Sequence, residues 1–158
     1  MREETCFFTG HRKVPECDVE KMREVLSSYI KKLVERGYKT FVTGGAVGFD
    51  TIAAETVLEM KKKYPFIRLA VIIPCENQSA KWSFEQKERY NTILSLADET
   101  KCLSPVYYDG CMQVRNRAMA DMSSVCIAYL TSSFGGTKST VDYCERIGIP
   151  VINIVRKR

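Results

Sequence analysis

Histidine and tryptophan each occur once in this sequence of 158 residues, as His11 and Trp82. One histidine among scattered cysteines gives no ligand set of the Cys/His type, so no metal site is expected. The seven cysteines stand at 6, 17, 75, 102, 111, 126 and 144, and no two fall at C-x-x-C spacing. An odd number, with no secretory leader before the first strand pattern, reads as reduced thiols in a cytoplasmic protein. No apolar run approaches the length of a membrane span, which removes the membrane as an expected partner. Two nucleotide signatures are missing as well. G-x-G-x-x-G does not occur, because the glycines run Gly44-Gly45 and then Gly48. The P-loop is broken because Thr137 separates Gly136 from Lys138. Ordinary nicotinamide dehydrogenase chemistry and Walker-type ATP hydrolysis therefore have no support. Repeats, linkers and low-complexity stretches are absent too, and one domain over 1–158 is the expectation.

What is present is the composition of an ordinary globular protein, 45% apolar and 27% charged. The net charge is +5, part of it in the runs Lys31-Lys32, Lys61-Lys62-Lys63 and Arg156-Lys157-Arg158. These read as solvated helix ends and a tail, where basic residues complement the helix dipole. They do not interleave with aromatics as a stacking platform for nucleic acid would, so a polymer partner ranks below a small ligand.

Strand and helix patterns alternate. Short apolar strands are expected at 6–9, 40–43, 69–73, 100–103, 125–130 and 151–154. Helices are expected from Asp18 to about Arg36, from Asp50 to before Pro65, over 82–96 with Ser83 and Gln86 at capping-box spacing, over 112–122, and from Thr137 or Ser139 to Gly148. Asp18 and Asp50 stand where helix caps belong, and Gly37 is a helix stop. This alternation predicts an α/β, Rossmann-like three-layer sandwich, with a mostly parallel sheet and helices on both faces.

Three turns follow strands in that pattern: Thr9-Gly10-His11-Arg12, Thr43 to Asp50, and Phe134 to Thr140. All would lie at the C-terminal edge of the sheet, where α/β folds bind ligands. Glycine turns that lead into helices suit a phosphate, because free helix N–H groups face it. For His11 and Arg12, spacing does not decide between anion contacts and solvated loop residues. Arg115 and Arg117 read, on residue type alone, as surface residues. Glu76 reads as an exposed loop carboxylate rather than a ribose ligand, and Trp82 as packing rather than a base platform. Cys75 and Cys111 are poor nucleophile candidates, because His11 is the only histidine that could activate them.

Several segments together resemble the YpsA-like proteins of the SLOG superfamily, named for the SMF/DprA and LOG proteins. They are Phe8 to Arg12, Gly44 to Glu55, Pro74-Cys75 with Gln78, Trp82 and Arg89-Tyr90, Gly110 to Arg117, and Ser124 to Ile154 with Gly135-Gly136-Thr137. The resemblance implies a Rossmann-like domain that binds a nucleotide or an ADP-ribose-like or NAD-like ligand, as a sensor or regulator, with no certain cofactor. In that reading Gly44, Gly45, Gly48, Gly135, Gly136 and Thr137 form a phosphate cradle. Thr9, Gly10, His11 and Arg12 close it, Arg115 and Asn116 add contacts, and Asp50 caps the second helix and positions the loop.

LOG-type relatives imply an alternative, phosphoribohydrolase chemistry on a nucleoside monophosphate. Their motif carries Glu three residues after the Gly-Thr pair, whereas Thr140 stands there in this chain. Glu55 or Asp50 would have to supply the carboxylate, so the reading favours a binder over an enzyme. DprA-type relatives imply a second alternative, single-stranded DNA. A homo-oligomer stays open.

Overall fold

A computed structural model describes residues 1–155; the basic run at 156–158 lies outside the described residues. In chain order the elements are β1 (Thr5–Gly10), α1 (Val19–Glu35), β2 (Thr40–Thr43), α2 (Phe49–Lys61), β3 (Arg68–Ile73), α3 (Phe84–Leu96), β4 (Glu99–Cys102), α4 (Cys111–Asp121), β5 (Val125–Tyr129), α5 (Gly136–Ile147) and β6 (Val151–Asn153). Short 3-10 turns precede β1 and α1.

The six strands form one sheet in the order β4-β3-β2-β1-β5-β6, and every pairing is parallel. From β1 the chain steps outward through β2 and β3 to β4. It then returns past β1 to build β5 and β6 on the other side. Right-handed crossovers put α1, α2 and α3 on one face, and the reversal puts α4 and α5 on the other. The strand residues alternate to match. Cys6, Phe8, Phe41, Leu69, Val71 and Ile127 enter the core under α1–α3. Phe7, Val42, Ala70, Ile72, Cys126 and Ala128 enter the core under α4 and α5. Both faces are covered, which is why these strands read as continuous apolar runs rather than alternating ones. The fold is a Rossmann-like three-layer sandwich.

Local details depart from the sequence expectation. Asp18 makes no side-chain cap bond and lies in the preceding 3-10 turn, so its expected cap on α1 is not formed. The cap of α2 is Gly48; Asp50 is already inside the helix and spends its carboxylate elsewhere. The third helix starts two residues later than expected, because Ser83 is its cap and accepts the Gln86 N–H at 3.2 Å. The reciprocal half of that capping box is missing among the described residues, since the Gln86 amide oxygen is buried without a partner. At the far edge β4 is exposed along its whole length, with Glu99 and Lys101 guarding it.

Candidate functional site

The topological switch point lies between β1 and β5, where successive connections leave in opposite directions. A cavity of about 310 Å³ opens there. Thr9, Gly10, His11 and Arg12 line it from β1 and its loop, Arg115 and Asn116 from α4, and Gly136 and Thr137 from the start of α5. Asp50 lines it from α2. Gly44, Gly45, Gly48 and Gly135, which the sequence placed in the same cradle, are not on this lining.

The reason differs from glycine to glycine. A Cβ on Gly44 would overlap the Arg115 guanidinium, and one on Gly48, at φ +78°, would overlap the Arg12 carbonyl. Both glycines are demanded by protein packing. A Cβ on Gly136 would meet nothing within 4 Å. The bare N-terminus of α5 is open space, and Gly135 offers it no side-chain cap. The helix dipole and first-turn N–H groups therefore face the cavity unscreened.

Two buried ionisable side chains, Arg115 and Asp50, line the cavity. Arg115, which residue type alone would put at the surface and the family resemblance puts at the ligand, is only 4% exposed. Its guanidinium donates to the Gly44 carbonyl, to Asn116 Oδ1 at 2.8 Å and weakly to Met112 Sδ at 3.7 Å. Five guanidinium N–H groups leave two more for a ligand. Asp50 faces the same space and its Oδ2 accepts the Ala46 N–H at 3.3 Å. Burial raises the Asp50 carboxyl to about 6, against the pull of Arg115, the Ala46 N–H and Arg12. Burial lowers the Arg115 guanidinium, with Asp50 acting against it. Thr43 completes the turn: its hydroxyl donates to the Asp50 carbonyl and accepts the Gly45 N–H, each at 3.3 Å. Asp50 thus positions the glycine loop from within the helix.

His11 is tied back by the β5–α5 loop. Its Nε2 accepts the Thr131 N–H at 2.9 Å, and its ring meets Tyr129 edge-on at 5.7 Å. The first and third turns are thereby joined. Arg12 is exposed at the rim.

Glu55 stands apart from this cavity. It borders a larger groove of about 840 Å³ over α2. Arg23 reaches it from α1 at 3.1 Å and Arg89 from α3 at 2.6 Å. Burial pushes its carboxyl up, but the hydrogen bonds from Arg89 and Arg23 outweigh that and hold it below the ordinary range. Trp82 borders the same groove, packed edge-on against Tyr90 at 5.1 Å. Thr140, at the position where a LOG-type glutamate would stand, is buried and donates to the Gly136 carbonyl at 2.9 Å. Cys75 and Cys111 are buried, and burial raises the Cys75 thiol. Glu76 is exposed. No group of three or more potential metal ligands occurs among the described residues, and none of their helices is long and apolar enough to cross a membrane.

Sequence reasoning missed Met112 and Met119 on the cavity lining, and Arg23 as a partner of Glu55. Met112, Arg115, Asn116 and Met119 share one helix face by their spacing, so the α4 contribution had a readable signal. Arg23 had none, because its partner lies 32 residues away.

The model of the family described as the YspA SLOG family matches residues 6–144. The uncharacterized SPbeta prophage-derived protein YoqJ of Bacillus subtilis is 30% identical over 139 residues, 80% of this chain and 81% of that protein. A UPF0398 protein of Brevibacillus brevis is 29% identical over 120 residues, 74% of this chain and 64% of its own length. Among solved structures, DNA processing protein A (DprA) of Streptococcus pneumoniae superposes with a TM-score of 0.72 at 16% identity. That match covers 98% of this chain, which spans about half (51%) of the DprA chain.

Proposed function

The chain belongs to the YspA SLOG family, and from that premise we propose that it binds the phosphate of a nucleotide or ADP-ribose-like ligand in the cavity between β1 and β5. It acts there as a sensor or regulator. One observation carries the reading: the buried Arg115 faces the bare N-terminus of α5 across a cavity at the switch point of the sheet. A guanidinium fixed by the Gly44 carbonyl and Asn116 has lost its rotamer freedom before a ligand arrives. Its two remaining N–H groups and the free N–H groups of α5 converge on one anion. Arg12 adds a rim charge, and Thr9 and Thr137 supply hydroxyls.

The hydrolase alternative loses one of its carboxylates, because Glu55 is ion-paired in a different groove. Asp50 does line the cavity, with Oδ2 accepting the Ala46 N–H. The volume of about 310 Å³ is within the range of small-molecule sites, at its low end.

The test is thermal stabilisation of the purified protein by AMP, ADP-ribose, NAD and short single-stranded DNA. A ligand at about one hundred times its dissociation constant adds roughly 2.7 kcal/mol of stability. Stabilisation by a mononucleotide or ADP-ribose, lost in Gly136→Asp, is the expected result. Stabilisation by DNA alone, falling steeply with salt, would transfer the site to a nucleic-acid role.

A further inference from the structure

The groove over α2 has a definite build. Gly48 at the cap of α2 and Ile52 and Glu55 within it are spaced four and three residues apart and line the groove together. The paired arginines from α1 and α3 meet on Glu55, two helical turns along α2 from Gly48, on the order of 10 Å along the axis. Val47, Ile52 and Trp82 give the lining an apolar part, and the carboxylates of Glu16, Glu20 and Glu85 border it. Arg12 and Gly48 also line the groove, and Arg12 lines the cavity between β1 and β5 as well. The two spaces are therefore neighbours, separated by the close backbone contact of Arg12 with Gly48.

This build selects a ligand chemistry. Glu55 already neutralises its arginines in part, so this part of the groove offers hydrogen bonds more than net charge. An apolar floor with a half-buried indole suits a planar ring with a polar edge.

We propose that the groove holds the base of the nucleotide whose phosphate occupies the cavity between β1 and β5. Trp82 is its stacking wall, and Arg12 spans the two compartments. The inference rests on the phosphate reading above. It adds where the base of that ligand lies and which side chain it stacks on.

Trp82 is the chain's sole tryptophan, so its emission reports on this groove alone. The experiment titrates ribose 5-phosphate, AMP and ADP-ribose into the full chain, following heat and Trp82 emission together. AMP or ADP-ribose is expected to bind about tenfold more tightly than ribose 5-phosphate, the scale of one base stack, and to change Trp82 emission. Ribose 5-phosphate is expected to bind without changing it. Trp82→Ala should erase the tenfold advantage and leave ribose 5-phosphate affinity unchanged, and Trp82→Phe should restore most of it. Base-bearing ligands that bind without altering wild-type Trp82 emission, or no more tightly than ribose 5-phosphate, overturn the base pocket while the phosphate site stands. If none of the three binds, both readings fall.

Discussion

A methyl group on Gly44 would run into the Arg115 guanidinium, and that single contact ties the glycine turn to α4. Gly44→Ala is therefore expected to destabilise the fold by about 1–3 kcal/mol, the usual cost of overpacking, read as a lowered urea midpoint. It should also weaken phosphate binding, because Arg115 must move. Asp50 gives a sharper readout. Its carboxyl is at about 6 in the folded protein, above the ordinary 3.8. A raised carboxyl means that the folded state holds the proton more tightly than the unfolded chain. The stability this contributes is complete below about pH 4 and is lost as pH rises through about 6. The loss is on the order of 3 kcal/mol. Glu55 and Asp98 are held low and work in the opposite sense, so the clean comparison is with Asp50→Asn, which keeps an acceptor for the Ala46 N–H. The stability difference between wild type and variant should slope between pH 4 and 6 and be flat above 7. A flat difference throughout would show that Asp50 titrates normally. Protonation of Asp50 also removes a negative charge from beside Arg115 and Arg12, so an anion should bind more tightly as pH falls through about 6.

Two helix starts carry the element-scale expectations. Gly136 is the first residue of α5 and has free space around it. Aspartate there places a carboxylate at the positive end of a helix, which is neutral or slightly stabilising for the fold. The same carboxylate stands on the cavity between β1 and β5. Gly136→Asp should hold or raise the melting temperature while abolishing nucleotide stabilisation; binding that survives would exclude α5 from the site. By contrast, an equivalent change at Gly45 confounds fold with function, because that residue has φ +70° and Val71 at 3.1 Å from an added Cβ. At α3, Ser83 makes the one side-chain bond to the helix start, from Gln86 N–H. Ser83→Ala should cost about 1 kcal/mol of stability by urea denaturation, with phosphate binding unchanged.

Across the whole molecule, two cores share one sheet. Phe7 is fully buried under α4 and α5, while Trp82 packs on the α1–α3 side. Phe7→Ala should cost about 3–5 kcal/mol. If the sheet couples both layers, Trp82 emission and far-UV circular dichroism should lose the same midpoint; separate transitions would show two cooperative units. This architecture was largely legible in the residues. Apolar runs such as Leu69–Ile73, separated by helix-period segments, dictate buried parallel strands, because backbone hydrogen bonds and two covered faces leave no other arrangement for them. The glycine turns at strand ends then fall at one edge by construction. The roles of individual side chains were not legible, because they depend on partners distant in sequence. Asp50 looked like a cap and instead holds Ala46 opposite Arg115, 65 positions along the chain. Arg115 looked solvated and is buried. Glu55 looked like a spare carboxylate and is held by Arg23 and Arg89 in another groove. Sequence alone determined the alternation, the sheet and the edge that carries the turns, since these follow from local periodicity and chain chirality. Only the tertiary structure decided which turn residues face the cavity and which charges neutralise one another, because burial and Coulomb pairing act through space between elements that the chain order keeps apart.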